Sequence, residues 1–138
     1  MEIKKLNNLL DYRFSASERL KSRKAIAELF AVSKSAKAYP LRLVYRILPR
    51  SVEQEAPAKL GFVASKRNFK RAPDRNHVKR RMRESHRLSK SRLYTWLEER
   101  DEYLEGMLIF TGRELPTQKE ITYAWRKLLR RLDPDYFK

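Results

Sequence analysis

Cysteine is absent from the 138 residues, which removes disulfides, thiolate nucleophiles and sulfur-ligated zinc at once. Glycine is scarce: Gly61, Gly106 and Gly112 are the only three, and their spacing builds none of the loops that cradle nucleotide phosphates. Long apolar runs are missing too. The longest convincing one is Met107 to Phe110, against about 20 residues for a membrane-spanning helix. The first thirty residues alternate charge with short apolar pairs and hold no apolar stretch of the secretory kind. A cytoplasmic protein with no membrane partner and no disulfide partner is the expectation.

Acidic residues are also few: 33 Lys and Arg stand against 17 Asp and Glu, a formal net charge of +16. Such self-repulsion works against a compact state, so a polyanionic partner is expected. Apolar residues make up 41% of the chain, enough for one packed core, and the length suits one domain. The excess charge is concentrated. Lys66 to Arg92 holds twelve basic residues against Asp74 and Glu84, a net +10 in 27 residues, leaving +6 for the other 111.

Along the chain, residues 1–13 read as an extension that is flexible or at most a short helix on Ile3, Leu6, Leu9 and Leu10. Ser22 is a candidate N-cap for a helix bearing Ile26, Leu29 and Phe30 on one face. From Pro40, Leu41, Leu43, Tyr45 and Ile47 fall on one side of a strand, with Arg42, Val44 and Arg46 on the other. Leu60, Phe62 and Ala64 mark a second strand, which ends at Ser65-Lys66-Arg67. Asp74 is read as the N-cap of a long basic helix that runs to about Arg100. Met107 to Thr111 reads as a buried strand, and Thr117-Gln118-Lys119-Glu120 as a capping box opening a last helix on Ile121, Ala124, Trp125, Leu128 and Leu132.

On the long helix, Arg75, Lys79, Arg83 and Arg87 recur every four residues, flanked by Asn76 and Arg80. In isolation such like charges repel by a few tenths of a kcal/mol per pair, and phosphates would offset that. Arginine forks match phosphates bidentately and asparagine can bond a sugar or base edge. His77 and His86 are nine apart, the wrong spacing for shared metal ligation, and read as part of the polar face. Glu98, Glu99, Asp101 and Glu102 read as solvated surface. No protein active site and no metal site emerges. Phe30, Tyr45 and Phe62 could pack in the core or, half exposed, stack unpaired bases.

Arg75-Asn76-His77-Val78-Lys79-Arg80-Arg81-Met82-Arg83-Glu84 resembles the Arg-Asn-x-x-Lys-Arg-x-x-Arg-Glu signature of the bacterial ribonuclease P protein subunit. Arg19-Leu20-Lys21 with Ile26 and Phe30 is similar to that family's N-terminal helix. Leu60-Gly61-Phe62-Val63-Ala64-Ser65-Lys66-Arg67 is similar to the strand before the signature. The resemblance implies an α+β fold: a two-layer α/β sandwich with a mainly antiparallel four-stranded sheet, helices on one face and a left-handed βαβ crossover, like domain 2 of a ribosomal protein. It covers residues 14–132 as a single RNA-binding domain, with 133–138 as a tail.

The same resemblance implies an endoribonuclease role in tRNA maturation, within a ribonucleoprotein. The protein would join a catalytic RNA subunit and help remove the 5′ leader of precursor tRNA, with Mg2+ bound mainly by the RNA. Arg75, Asn76, Lys79, Arg80, Arg83 and Arg87 would bind the catalytic RNA. Ile26, Phe30, Tyr45, Ser65, Lys66 and Arg67 would line the cleft for the leader. His77 stands where the family usually has Arg, Ile26 where it has an aromatic, and the connector Asn68 to Asp74 is one residue longer and lacks a glycine. A structural RNA-binding protein such as a ribosomal component is the alternative. A DNA-binding module fits less well, because the charged stripe runs into Trp96-Leu97, which must pack on the domain.

Overall fold

Strand alternation decides the layering. The computed structural model describes residues 14–138, so the expected short helix at 1–13 lies outside the described residues. Four strands, β1 (Lys34–Ala38), β2 (Leu41–Pro49), β3 (Ala58–Ala64) and β4 (Glu102–Phe110), form one sheet in the order β1-β2-β4-β3. β1 with β2 and β2 with β4 pair antiparallel, and β3 with β4 pairs parallel. Three helices complete the domain: α1 (Arg23–Val32), α2 (Ala72–Glu99) and α3 (Gln118–Leu132), with a 3-10 turn at Ala16–Glu18. This is the expected mixed α+β class with a mainly antiparallel four-stranded sheet. Parallel β3 and β4 require a crossover, and α2 supplies it.

One sheet face presents Leu41, Leu43, Leu60, Leu104, Leu108 and Phe110 to α2 and α3, whose Val78, Met82, Leu93, Leu97, Ile121, Trp125 and Leu128 complete the main core. The other face presents Val44 and Met107 to Leu20 and Leu29, with Ile26, Val63 and Ile109 packed around them. Helices on one face therefore describes the two long helices. α1 is an addition, placed by its short apolar stripe over the reverse side. Gly61 makes room there: a Cβ would come within 2.4 Å of the Met107 sulfur. Beside it the Leu20 N–H donates to the Leu60 carbonyl at 3.1 Å, so the N-terminal segment runs along β3.

Local signals explain most boundaries. The Ser22 hydroxyl accepts from the Ala25 N–H, and the Thr117 hydroxyl accepts from the Glu120 N–H. The expected N-cap of the long helix needs correcting: α2 starts at Ala72 with Arg71 as N-cap, and Asp74 sits in the first turn. Its charge still faces the positive end of the helix dipole. β1 carries only Ala36 and Ala38 as apolar residues, too little for an alternation to be read, yet both are buried under α3. β4 starts five residues before Met107 because its polar members find partners. The buried Glu105 carboxylate accepts from Arg46 Nε at 2.8 Å and from the Tyr103 hydroxyl at 3.3 Å. Residues 133–138 fold back on α2, with the Trp96 indole N–H donating to Asp133 at 2.9 Å and the buried Phe137 ring edge-on to Trp96.

Candidate nucleic-acid interface

The periodic stripe of α2 splits into members with different duties. Asn76 and Arg80 are exposed, while Lys79 and Arg83 are half-buried along the flank nearest β3. The Arg83 guanidinium lies 6.0 Å from the Phe62 ring centroid. Burial lowers the pKa of Arg83, and the charges of Arg19 and Arg80 lower it further. Three guanidiniums thus share a site that an anion would relieve. Arg75 has a second duty. Its Nη1 donates to the carbonyls of Phe69 and Lys70 at 2.8 and 3.0 Å, fastening the connector to the helix start. Arg87 forms an ion pair with Glu84 at 2.6 Å, so its charge is partly compensated. The Glu84 carboxyl is lowered chiefly by that hydrogen bond.

Further along, the stripe leaves the surface. Lys90 is buried, and its ammonium donates to Glu18 Oε1 at 2.6 Å, where the Tyr94 hydroxyl also donates at 2.6 Å. Glu18 Oε2 accepts from the backbone N–H and hydroxyl of Ser15. Burial by itself would raise the Glu18 pKa. The hydrogen bonds from Lys90, Tyr94 and Ser15 outweigh it, and the net shift is downward. This pair latches the N-terminal turn onto α2.

The two histidines part company. His77 accepts from Arg81 Nε at 2.7 Å and sits at the surface, as expected. His86 is the correction: it is wholly buried, ringed by Phe14, Phe62, Tyr94 and Trp125 at centroid distances of 5.7 to 6.4 Å. Neither ring nitrogen has a hydrogen-bond partner among the described residues, and burial pushes its pKa down to about 3. His86 behaves as a core aromatic, seated edge-on to Trp125 and Phe14.

At the end of β3 the chain turns sharply. The Ser65 hydroxyl accepts from the Asn68 N–H at 3.2 Å and the Ser65 carbonyl from the Phe69 N–H at 3.0 Å, while Asn68 Nδ2 donates to the Gly112 carbonyl. The turn leaves Lys66 and Arg67 exposed, followed by exposed Lys70 and Arg71 at the start of α2. A helix N-terminus flanked by cations favours phosphate.

The expected cleft assembles only in part. Ile26 and Phe30 share α1, Ile26 half-buried and Phe30 50% exposed, over the sheet face that carries Val44, Val63 and Ile109. Tyr45 does not join them. It lies on the opposite face, against the core under the long helices. A side chain one place away in a strand points to the other side of the sheet. The β2 residues on α1's side are Val44, Arg46, which pairs with Glu28 of α1 at 3.5 Å, and Arg42, whose Nε is buried with no hydrogen-bond partner among the described residues. Neither Arg42 nor Arg19 is assigned to the site from the sequence, although strand alternation sets Arg42 on the side away from Tyr45, and Arg19 falls within the N-terminal resemblance. Among the described residues, no group of three or more His, Cys, Asp or Glu is placed to hold a metal ion. No helix among them is long and apolar enough to cross a membrane.

Comparison with known proteins places this geometry. The family model described as Ribonuclease P matches residues 14–133. A Porphyromonas gingivalis protein named Ribonuclease P protein component is 36% identical over 121 residues, covering 88% of this chain and 87% of its own length. A Chlorobium phaeobacteroides protein of the same name is 36% identical over 91 residues, covering 65% and 62%. Among solved structures, the Staphylococcus aureus RNase P protein superposes with a TM-score of 0.65 at 18% identity, covering 84% of this chain and 95% of that one. A mutant of that protein with defective mRNA degradation activity gives 0.66, covering 84% and 88%. The basic helix with its signature, the sheet behind it and the match across residues 14–133 agree: this chain belongs to the ribonuclease P protein family.

Proposed function

We propose that the chain is the protein subunit of ribonuclease P, acting in the cytoplasm on the 5′ leader of precursor tRNA in company with a catalytic RNA. The observation that carries this reading is the cationic flank of α2. Asn76, Lys79, Arg80 and Arg83 recur along α2, where Arg83 lies over Phe62 of β3 and feels the charges of Arg19 and Arg80, in a chain whose family match spans the same residues. These groups would hold phosphates of the catalytic RNA through charge-assisted, partly bidentate hydrogen bonds. Arg75 contributes by rigidity, since its hydrogen bonds set the connector that presents Lys66 and Arg67. The leader would cross the α1 side of the sheet, with Phe30 offering a ring for stacking at about 1–3 kcal/mol per base. Ser65, Lys66 and Arg67 would take its backbone. Hydrolysis, and the Mg2+ it needs, belong to the RNA in this account; the protein binds, orients and screens charge.

Reconstitution tests it. The protein is added to ribonuclease P RNA at low magnesium, and cleavage of leader-bearing precursor tRNA is followed. Faster cleavage and tighter substrate binding are expected, and no gain in either would overturn the reading. A structural ribosomal role, the other reading of a basic α+β domain, predicts co-purification with ribosomal subunits instead.

A further inference from the structure

We propose that the protein carries a further surface for an RNA phosphodiester backbone, on α3 and the β1 edge, remote from α2 and on the sheet face opposite α1. The sheet order puts β1 and β3 at opposite edges, about 15 Å apart at roughly 4.8 Å per strand. α2 packs over β3 and β4, and α3 over β1 and β2. An open cavity of about 840 Å³ lies between α3 and β1, lined by Lys37, Tyr45, Lys127, Arg130, Arg131 and Pro134 among others. Four of those six are cations and none is an acid.

Simpler reasons account for part of this charge. Arg130 and Arg131 occupy the last turn of α3, where cations suit the helix dipole. A lysine on β1 discourages a second chain from pairing with the sheet edge. Neither reason requires Lys127, nor a concave site with a tyrosine in its floor. The four cations form no ion pair among the described residues. The carboxylate that follows α3, Asp133, is already engaged by the Trp96 indole and the N–H groups of Asp135 and Tyr136.

Aromatic rings favour RNA over an acidic peptide. Tyr45, on the sheet face opposite α1 by strand parity, is half-buried and lines this cavity. Burial raises its pKa, so the phenol keeps its proton and remains a donor. Tyr123 is 59% exposed on α3 with the Lys127 ammonium 5.0 Å from its ring centroid. Cations that grip phosphates beside rings that stack bases are the composition of a single-strand-binding surface. The assignment is independent of the role given to α2. A surface separated from the α2 flank would let one protein hold an additional RNA segment.

A stoichiometric titration of the full chain with a labelled eight-nucleotide oligouridylate at low salt tests this. Three oligomers per chain are expected for the wild type, one each on the α2 flank, the α1 side and the α3 surface. The variant Lys127→Gln/Arg130→Gln/Arg131→Gln, altered only at exposed positions, is expected to bind one fewer, with the salt slope of the lost site accounting for about 2 released counterions at roughly 0.7 per phosphate. Retention of the wild-type stoichiometry by that variant would overturn the proposal. So would oligoglutamate competing at this site as well as RNA, which would mark it as a surface for an acidic protein segment. Loss of one oligomer in the α3 variant, with none lost in Asn76→Ala/Arg80→Gln/Arg83→Gln, would uphold this surface while refuting the reading of α2.

Discussion

Replacing His86 by leucine should remove a pH dependence that the wild-type fold carries. The imidazole is enclosed by four aromatic rings, and neither nitrogen has a hydrogen-bond partner among the described residues. Burial holds its pKa at about 3, against an ordinary 6.5; the Glu18 carboxylate opposes that shift and the Lys90 ammonium adds to it. Below pH 6.5 the unfolded chain takes up a proton that the folded chain refuses. Stability from this group is therefore complete above pH 6.5 and falls by about 1.4 kcal/mol per pH unit until the folded pKa is reached. Between pH 6.5 and pH 5 the loss is about 2 kcal/mol. Glu18 works in a lower window. Its folded pKa lies below the ordinary 4.5, so its contribution is present above that value and lost beneath it. In His86→Leu the two buried nitrogens are gone, so stability at pH 7 should match or exceed the wild type. Urea unfolding at pH 7 and pH 5, followed by tryptophan fluorescence, reads both terms. The wild type should lose about 2 kcal/mol more than the variant between the two pH values. Parallel losses would show that the imidazole is protonated in the fold, and the burial argument would fail.

Glu18→Ala removes the carboxylate that meets Lys90 and Tyr94, and chemical denaturation should show a loss of about 3 kcal/mol; a change under 1 kcal/mol would mean the latch does not stabilise the fold. Arg80→Ala should weaken association with ribonuclease P RNA and lower the salt slope by about 0.7–0.9, one phosphate contact. An unchanged slope would remove Arg80 from the interface. Phe30→Ala should weaken binding of leader-bearing precursor tRNA more than that of mature tRNA, because its exposed ring lies on the α1 side. Tyr45→Ala, on the main-core face opposite α1, should show no such discrimination. Measured affinities for the two tRNAs decide the case, and the opposite ranking would contradict the layering argument.

The basic helix was legible because its chemistry is local: cations at a spacing of four, a capping turn and an apolar stripe all lie in one segment. Ser22 and Thr117 were legible for the same reason. What could not be read was set by packing across distant segments. Lys90 and His86 look like members of a polar face until the N-terminal turn folds over them, and Glu18 lies 72 residues from its ammonium partner. β1 contains two alanines and no larger apolar side chain, so its membership in the sheet depends on pairing with β2 rather than on pattern. Tyr45 was a different failure. The alternation of Leu41, Leu43, Tyr45 and Ile47 already set it on the face with the buried leucines, and the carried-over cleft position conflicted with that reading. The strand period was the better guide.

The absence of cysteine makes a direct test of the central claim convenient, since any single cysteine introduced is unique. Asn76→Cys on the exposed flank of α2 and Val52→Cys, fully exposed in the loop between β2 and β3, would each carry a short photo-crosslinker. The protein would then be bound to ribonuclease P RNA. The account predicts a discrete crosslink to the RNA from position 76 and none from position 52. Crosslinking from position 52 with none from position 76 would contradict it.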